Sequence, residues 1–262
     1  FCMQACTRAG IDFPINIPRV QATILEKYRT AESAAHPKLP ANGKKVAVIG
    51  AGPAGIAATA ELSRLGYRIT LFESFEKIGG ALNLIPDKRL PFEVIAKDWS
   101  FIDDPDMIEL RLNTPVNNPA ALLEQDFDGV IVATGEPEGI NLGIDGEEHA
   151  VSYLDYLRHP EHYAARGNIA VIGGGAVATD CALTAVNNGA ENVEMFVRRR
   201  VSDMRVTGEE RKSLLDAGVD LTTMTKIKKI GADGDYLTLY TAKNRFNRGK
   251  LEEIPDTTIA RP

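Results

Sequence analysis

Cysteine is scarce in this 262-residue chain: Cys2, Cys6 and Cys181 are the only three, and no two stand in a C-x-x-C redox pair. That spacing counts against a thiol-disulphide exchange enzyme. The four histidines, His36, His149, His159 and His162, show no metal-ligand spacing and lie in loop-like or proline-adjacent sequence, so surface or linker positions are expected. No apolar run is long enough to span a bilayer, and the first residues do not read as a charged-then-apolar leader, so the expected compartment is the cytoplasm, with no membrane partner. Positive charge is also short. A formal net charge of −6 argues against a nucleic-acid surface, which draws on Lys and Arg clustered over a whole face. No nucleophile-base pattern supports hydrolysis, and there is no low-complexity tract.

What is present is a duplicated signature. Val46-Ala47-Val48-Ile49-Gly50-Ala51-Gly52-Pro53-Ala54-Gly55 recurs downstream as Ile169-Ala170-Val171-Ile172-Gly173-Gly174-Gly175-Ala176-Val177-Ala178. A lone G-x-G-x-x-G is a weak match, but each copy follows an apolar run that reads as a buried parallel strand and opens an alanine-rich segment of helical period. Strand, tight turn and helix together predict a dinucleotide site. Gly50 permits the turn, Gly52 lets the backbone approach a pyrophosphate, and Gly55 lets the helix lie against the strand. Gly173, Gly175 and Ala178 take the same places in the second copy.

The strands that follow separate the two ligands. Arg68-Ile69-Thr70-Leu71-Phe72 ends at Glu73, whose carboxylate can accept both ribose hydroxyls of an adenosine and rejects a 2′-phosphate. This predicts FAD at the first site. Val193-Glu194-Met195-Phe196-Val197 instead ends in Arg198-Arg199-Arg200, with Arg205 just beyond. A guanidinium fork matches a phosphate dianion, which predicts the 2′-phosphate of NADPH at Arg198, Arg199 and Arg205. The alternative reading of the run is a solvated surface cluster. Cys181 stands among Ala182, Leu183 and Ala185 in the helix after the second fingerprint, where packing explains it.

Punctuation divides the chain into residues 1–42, 43–166 and 167–262. The first stretch holds two cysteines, an extended Phe13-Pro14-Ile15-Asn16-Ile17-Pro18, a helix near Val20 to Thr30 and a linker His36-Pro37-Lys38-Leu39-Pro40. It is too small to hold a core alone. The second is the first nucleotide domain and includes a strand ending in the turn Ala133-Thr134-Gly135. The third is the second nucleotide domain, with Asp220 to Met224 and Tyr236 to Tyr240 expected at the far edge of its sheet. Starting at Phe1 and stopping at Pro262, the chain reads as a fragment of a larger polypeptide.

These residues carry a family resemblance. The chain resembles the flavoprotein part of dihydropyrimidine dehydrogenase, including its NAD(P)H-oxidising subunit, and more distantly the small subunit of glutamate synthase. The most specific string is Cys2-Met3-Gln4-Ala5-Cys6-Thr7-Arg8-Ala9-Gly10-Ile11-Asp12-Phe13-Pro14-Ile15-Asn16-Ile17. Gly79-Gly80, Ile85-Pro86-Asp87-Lys88-Arg89-Leu90-Pro91, Ala133-Thr134-Gly135 and Phe196-Val197-Arg198-Arg199 with Met204-Arg205 support it.

The resemblance implies an α/β fold of two Rossmann-like domains, of the adrenodoxin-reductase and glutathione-reductase type, preceded by a short helical iron-sulfur segment. It implies a hydride taken from NADPH by FAD and single electrons passed through [4Fe-4S] clusters to a catalytic partner domain or subunit in a larger complex. It places Gly80, Arg89, Leu90 and Thr134 near the flavin. It makes Cys2 and Cys6 ligands of different clusters, with Gln21 beside Cys2; otherwise the cysteines are two reduced thiols and Gln21 is an ordinary helix residue. Two departures stand out. The Gly79 to Pro86 stretch is a residue shorter than the family's version and lacks its later glycine, with Lys88 where an aromatic is usual. The segment that completes the family's FAD domain after the NADPH domain is missing. Alternative functions are the electron-input subunit of a glutamate synthase or a ferredoxin-NADP transhydrogenase, and a non-catalytic scaffold that keeps the fold.

Overall fold

The computed structural model describes residues 2–3, 5–28, 38–136, 138–163, 167–234 and 236–261. Phe1, Gln4, Thr30, His36, Pro37 and the expected boundary at Arg166 lie outside the described residues. Two compact units are present, one formed by Phe1–Ile78 with Glu93–Ala133 and the other by Gly79–Phe92 with Thr134–Pro262. The stretch from Gly79 to Phe92 and the residues from Thr134 onward therefore group with the second fingerprint.

The first unit is built on a parallel sheet of order β3-β2-β1-β4, comprising β1 (Lys45–Ile49), β2 (Arg68–Phe72), β3 (Ile108–Arg111) and β4 (Gly129–Val132). β1 pairs with β2 from Lys45↔Arg68 to Ile49↔Phe72 and with β4 on its other side, so it is central. Its residues Val46 to Ile49 are buried, as the unbroken apolar run requires. Ahead of the sheet, α1 (Ile17–Tyr28) covers most of the expected helix. Lys38, from the linker, is fastened to the sheet unit by an ion pair with Asp104 at 2.6 Å. Helix α2 (Pro53–Arg64) connects β1 to β2, and α3 (Phe92–Ser100) precedes β3. Ala47, Ile49, Phe72 and Leu122 form a buried cluster in this unit.

The second unit repeats the crossover. Strand β5 (Asn168–Ile172) leads through α5 (Ala176–Asn187) to β6 (Asn192–Val197), with β7 (Asp220–Thr223) completing a parallel sheet of order β5-β6-β7. Helix α4 (Tyr153–Arg158) precedes it and α6 (Gly208–Asp216) leads into β7. Among the described residues β5 is an edge strand and only half-buried, whereas the sequence reading has it buried; the burial falls on the central β6. Both crossovers stop alike, in left-handed glycines, Gly66 and Gly189, after which the chain turns into the next strand.

A second correction concerns the far edge. Strand β7 lies there, but Tyr236 to Tyr240 does not. That segment belongs to the long β9 (Tyr236–Asn247), which pairs antiparallel with β8 (Thr225–Asp233), β10 (Lys250–Glu253) and β11 (Ile259–Arg261) in a separate sheet. Left-handed Met224 lets the chain leave β7 and begin β8, so the antiparallel arm starts where the parallel sheet ends. Among the described residues no helix is long and apolar enough to cross a membrane.

Candidate nucleotide-binding sites

In the first unit the loop after β1 leaves no room for side chains. Gly50 has φ +99°, and a Cβ on Gly55 would lie 1.8 Å from the Gly50 carbonyl oxygen. Glycine is therefore the only residue that lets α2 begin this close to the strand. Gly52 caps α2 without a side-chain hydrogen bond, and Pro53 follows at the first helical position. The remaining N–H groups of the first turn are left for an external anion. Glu73, only 5% exposed, reaches back to this loop: its Oε2 accepts from the Ala51 N–H at 2.8 Å. Its Oε1 accepts from the Phe75 N–H at 3.0 Å and from Ser74 Oγ at 3.1 Å. Each carboxylate oxygen accepts in about two directions, so Oε2 keeps one for a ribose hydroxyl. Gly50, Gly52, Gly55 and Glu73 are thus brought together in one unit.

The second unit assembles Gly173, Gly175, Ala178 and Arg205 likewise. Gly173 has φ +147°, and a Cβ there would sit 2.9 Å from that of Ala178. A Cβ on Gly174 would meet Val197 Cγ1 at 2.7 Å, whereas Gly175, which caps α5, faces open space. The Gly173 N–H donates to the Phe196 carbonyl at 3.1 Å, tying the loop to the end of β6. The Arg205 N–H donates to the Gly174 carbonyl at 3.0 Å, so Arg205 lies beside the glycine loop.

The arginine run divides. Arg200 is occupied: Nε donates to Asp203 Oδ2 at 2.8 Å, and its guanidinium lies 4.4 Å from the centre of the Phe246 ring. Arg198, Arg199 and Arg205 form no ion pair among the described residues, and Arg198 and Arg205 are exposed. Arginines that follow β6, with Arg205 tied through its backbone to the glycine loop and none of the three in an ion pair among the described residues, fit a phosphorylated nucleotide.

Gly80, Arg89, Leu90 and Thr134, which the resemblance associates with the flavin, all fall in the second unit. Gly80 opens a short 3-10 helix, and Arg89 and Leu90 close a turn onto the Pro86 carbonyl. Arg89 is committed to α5, where Nη1 donates to Asp180 Oδ1 at 2.6 Å and lies 3.4 Å from Glu210. Burial of Asp180 pushes its carboxyl above the ordinary aspartate range, with Arg89 pulling the other way and Glu210 adding to the rise. Asp180 and Glu210 were invisible as site neighbours in sequence, because the contact spans 91 residues.

At the N-terminus Cys6 caps the 3-10 turn Thr7–Gly10. Backbone N–H groups, Ile15 first and then Arg8 and Ala9, hold its thiol below the usual cysteine value. That donor set suits a thiolate ligand. Cys2 and Gln21 are exposed. The described residues bring no third histidine, cysteine or carboxylate to them; the one such group of three is His159, Glu161 and His162, all exposed. The rings of His159 and His162 are stacked at 13°, a geometry that does not aim two in-plane lone pairs at one ion. Cys181 is buried in α5, and its thiol is pushed up to about 12, first by burial and then by Asp180, which keeps it protonated and inert.

Residues 104–251 match the pyridine nucleotide-disulphide oxidoreductase family, more than half of the chain. The chain belongs to that family. Residues 48–100, covering the first fingerprint and Glu73, also match an NAD(P)-binding Rossmann-like domain. Among curated relatives, the family member is 31% identical over 251 residues to the NADP(+)-dependent formate dehydrogenase subunit beta of Moorella thermoacetica, covering 83% of this chain and 35% of that protein. It is 32% identical over 230 residues to the NAD-dependent dihydropyrimidine dehydrogenase subunit PreT of Escherichia coli, covering 84% and 55%. With the glutamate synthase [NADPH] small chain of Bacillus subtilis it shares 31% identity over 215 residues, covering 74% and 43%. The chain thus spans between about a third and just over half the length of these relatives. Its fold is similar to that of Mycobacterium tuberculosis FprA in complex with NADPH, with a TM-score of 0.68 at 17% identity, covering 85% of this chain and 67% of that one.

Proposed function

We propose that this chain is the nucleotide-handling part of an electron-input oxidoreductase, with FAD in the first unit and NADPH in the second. When bound, the two cofactors supply hydride and electron transfer; the protein supplies position and charge. Gly50, Gly52 and Gly55 keep the first loop flat enough for a pyrophosphate, and Glu73 accepts ribose hydroxyls while repelling a 2′-phosphate. Gly173, Gly175 and Ala178 shape the loop for a pyrophosphate in the second unit. The observation that carries the assignment is the contrast at the two strand ends: a buried carboxylate after β2, and, among the described residues, arginines without ion-pair partners after β6.

The relatives' names divide over the nucleotide, naming NAD for the dihydropyrimidine subunit and NADP or NADPH for the other two. The choice for this chain therefore rests on Arg198, Arg199 and Arg205. All three names describe a subunit or chain of a larger enzyme, which supports a partner that receives electrons. The N-terminal string favours a dihydropyrimidine dehydrogenase-like partner over a glutamate synthase. Cys2 and Cys6, with Gln21, are proposed as ligands that this chain contributes to [4Fe-4S] clusters on the way to that partner. On this reading residues 1–42 are the cluster-bearing lead, 43–166 the flavin domain and 167–262 the nicotinamide domain, although residues 79–92 and 134–166 group with the second unit.

Calorimetric titration with NADP⁺ and NAD⁺ tests the order and the selectivity. Replacing Arg198 and Arg199 together by Gln is expected to weaken NADP⁺ by roughly 1.5–3 kcal/mol per lost charge-assisted bond and leave NAD⁺ almost unchanged. Equal losses for both nucleotides, or a preference of the unaltered protein for NAD⁺, would overturn the reading.

A further inference from the structure

The backbone of the arginine run after β6 is held by a strand far away in sequence. The β6–β7 ladder ends at Val197↔Thr223, so the carbonyls of Arg198 and Arg199 have no strand partner in that ladder. Both are satisfied elsewhere. The Asn244 side chain, on β9, donates from Nδ2 to the Arg198 carbonyl at 3.0 Å, and the Met224 N–H donates to the Arg199 carbonyl at 3.1 Å. The Asn244 N–H in turn donates to the Met224 carbonyl at 2.7 Å, which closes the clamp. Asn244 is 7% exposed, so its amide is not shared with bulk water. Phe246, two residues on and therefore on the same side of β9, carries the Arg200 guanidinium on its ring. With Arg200 over the ring and paired to Asp203, the one carboxylate between the run and Arg205 is neutralised.

We propose that Asn244 is a specificity-determining positioning residue, which fixes the Arg198–Arg199 backbone so that both guanidiniums meet a nucleotide 2′-phosphate, with Phe246 and Arg200 removing the opposing charge of Asp203. The inference rests on the assignment of NADPH to the second unit. A fork held in place loses less conformational freedom on binding than one on a free strand end, so the clamp acts on affinity for the phosphate and hardly on the rest of the nucleotide.

The test is the ratio of 2′,5′-ADP to 5′-AMP affinity, measured by calorimetry on the unaltered protein and on Asn244→Leu, Asn244→Ser and the double variant Arg198→Gln with Arg199→Gln. Leu has the branched outline of Asn244 but is bulkier and apolar, and Ser is smaller and keeps a polar group; far-ultraviolet circular dichroism shows which of the two variants is folded. The ratio is expected to fall about tenfold in either Asn244 variant, while 5′-AMP affinity changes less than twofold. Loss of the ratio in the arginine variant but its full retention in a folded Asn244 variant overturns this inference and leaves the NADPH assignment standing. No preference for 2′,5′-ADP in the unaltered protein overturns the assignment and the inference together.

Discussion

Gly55 shows how little latitude the first site has at the scale of one residue. Adding a single methyl group places it 1.8 Å from a backbone oxygen that has no rotamer to change, so α2 must move off β1. Gly55→Ala is expected to cost roughly 1–3 kcal/mol or more in urea denaturation, as overpacking does, and to weaken FAD binding in the same protein. A denaturation midpoint equal to that of the unaltered chain would show that the loop yields. Asp180 has a different signature. Its carboxyl is raised by burial, so the folded state holds the proton more tightly than the unfolded chain does. The contribution of this group is therefore fully present below the ordinary carboxylate value of 3.8 and lost as pH rises through the raised folded value. Urea midpoints taken across that window are expected to fall with rising pH in the unaltered protein and to fall less in Asp180→Asn. Parallel curves for the two proteins would show that Arg89 offsets the burial completely.

Among the elements, the N-terminal segment has the least of its own to stand on. Ile11 is 89% exposed and Phe13 83%, and α1 leaves Val20, Ile24 and Leu25 exposed, so the segment buries little apolar surface by which to order itself. Two clusters, one held through Cys2 and the other through Cys6, would supply that missing constraint. In the intact polypeptide Cys6→Ala is expected to lower iron content, abolish one cluster's electron paramagnetic resonance signal and block reduction of the partner, while NADPH still bleaches the flavin. Unchanged iron content and unchanged partner reduction would make the thiols incidental. The β9 arm contrasts with this lead. It is long, paired on both sides and carries the buried Asn244, so it can act as a fixed rear support for the loop after β6.

For the whole molecule, the two units have buried clusters of their own, Ala47, Ile49, Phe72 and Leu122 in one and a larger set around Met195 and Leu214 in the other. A ligand of one unit therefore has a defined address. NADP⁺ at a hundred times its Kd is expected to add about 2.7 kcal/mol to the second unit, slowing hydrogen exchange of the most protected β5–β7 amides about a hundredfold. The amides of β1–β4 are expected to exchange at their former rates. Slowing confined to β1–β4 would reverse the order of the two cofactor sites.

Local chemistry made much of this legible in one dimension. The two glycine loops, the helices after them, the parallel strands and the charge at each strand end are written in runs of ten to thirty residues, because a β-α-β crossover is a local structure with local steric demands. What the tertiary structure alone decided involves partners far apart in the chain. The sequence leaves Arg200 outside the phosphate set without saying what it does; the structure pairs it with Asp203 and lays it over Phe246. Arg89 is placed near the flavin only by the resemblance, and its bond to the buried Asp180, 91 residues away, has no sign in the sequence. Asn244 carries no motif at all; its role exists only because β9 turns back antiparallel and brings an amide to a carbonyl that β7 leaves unpaired. Sequence periodicity reports which face of a strand is buried, but it does not report which strand comes to lie beside it, and the support proposed for the second site comes from that neighbour.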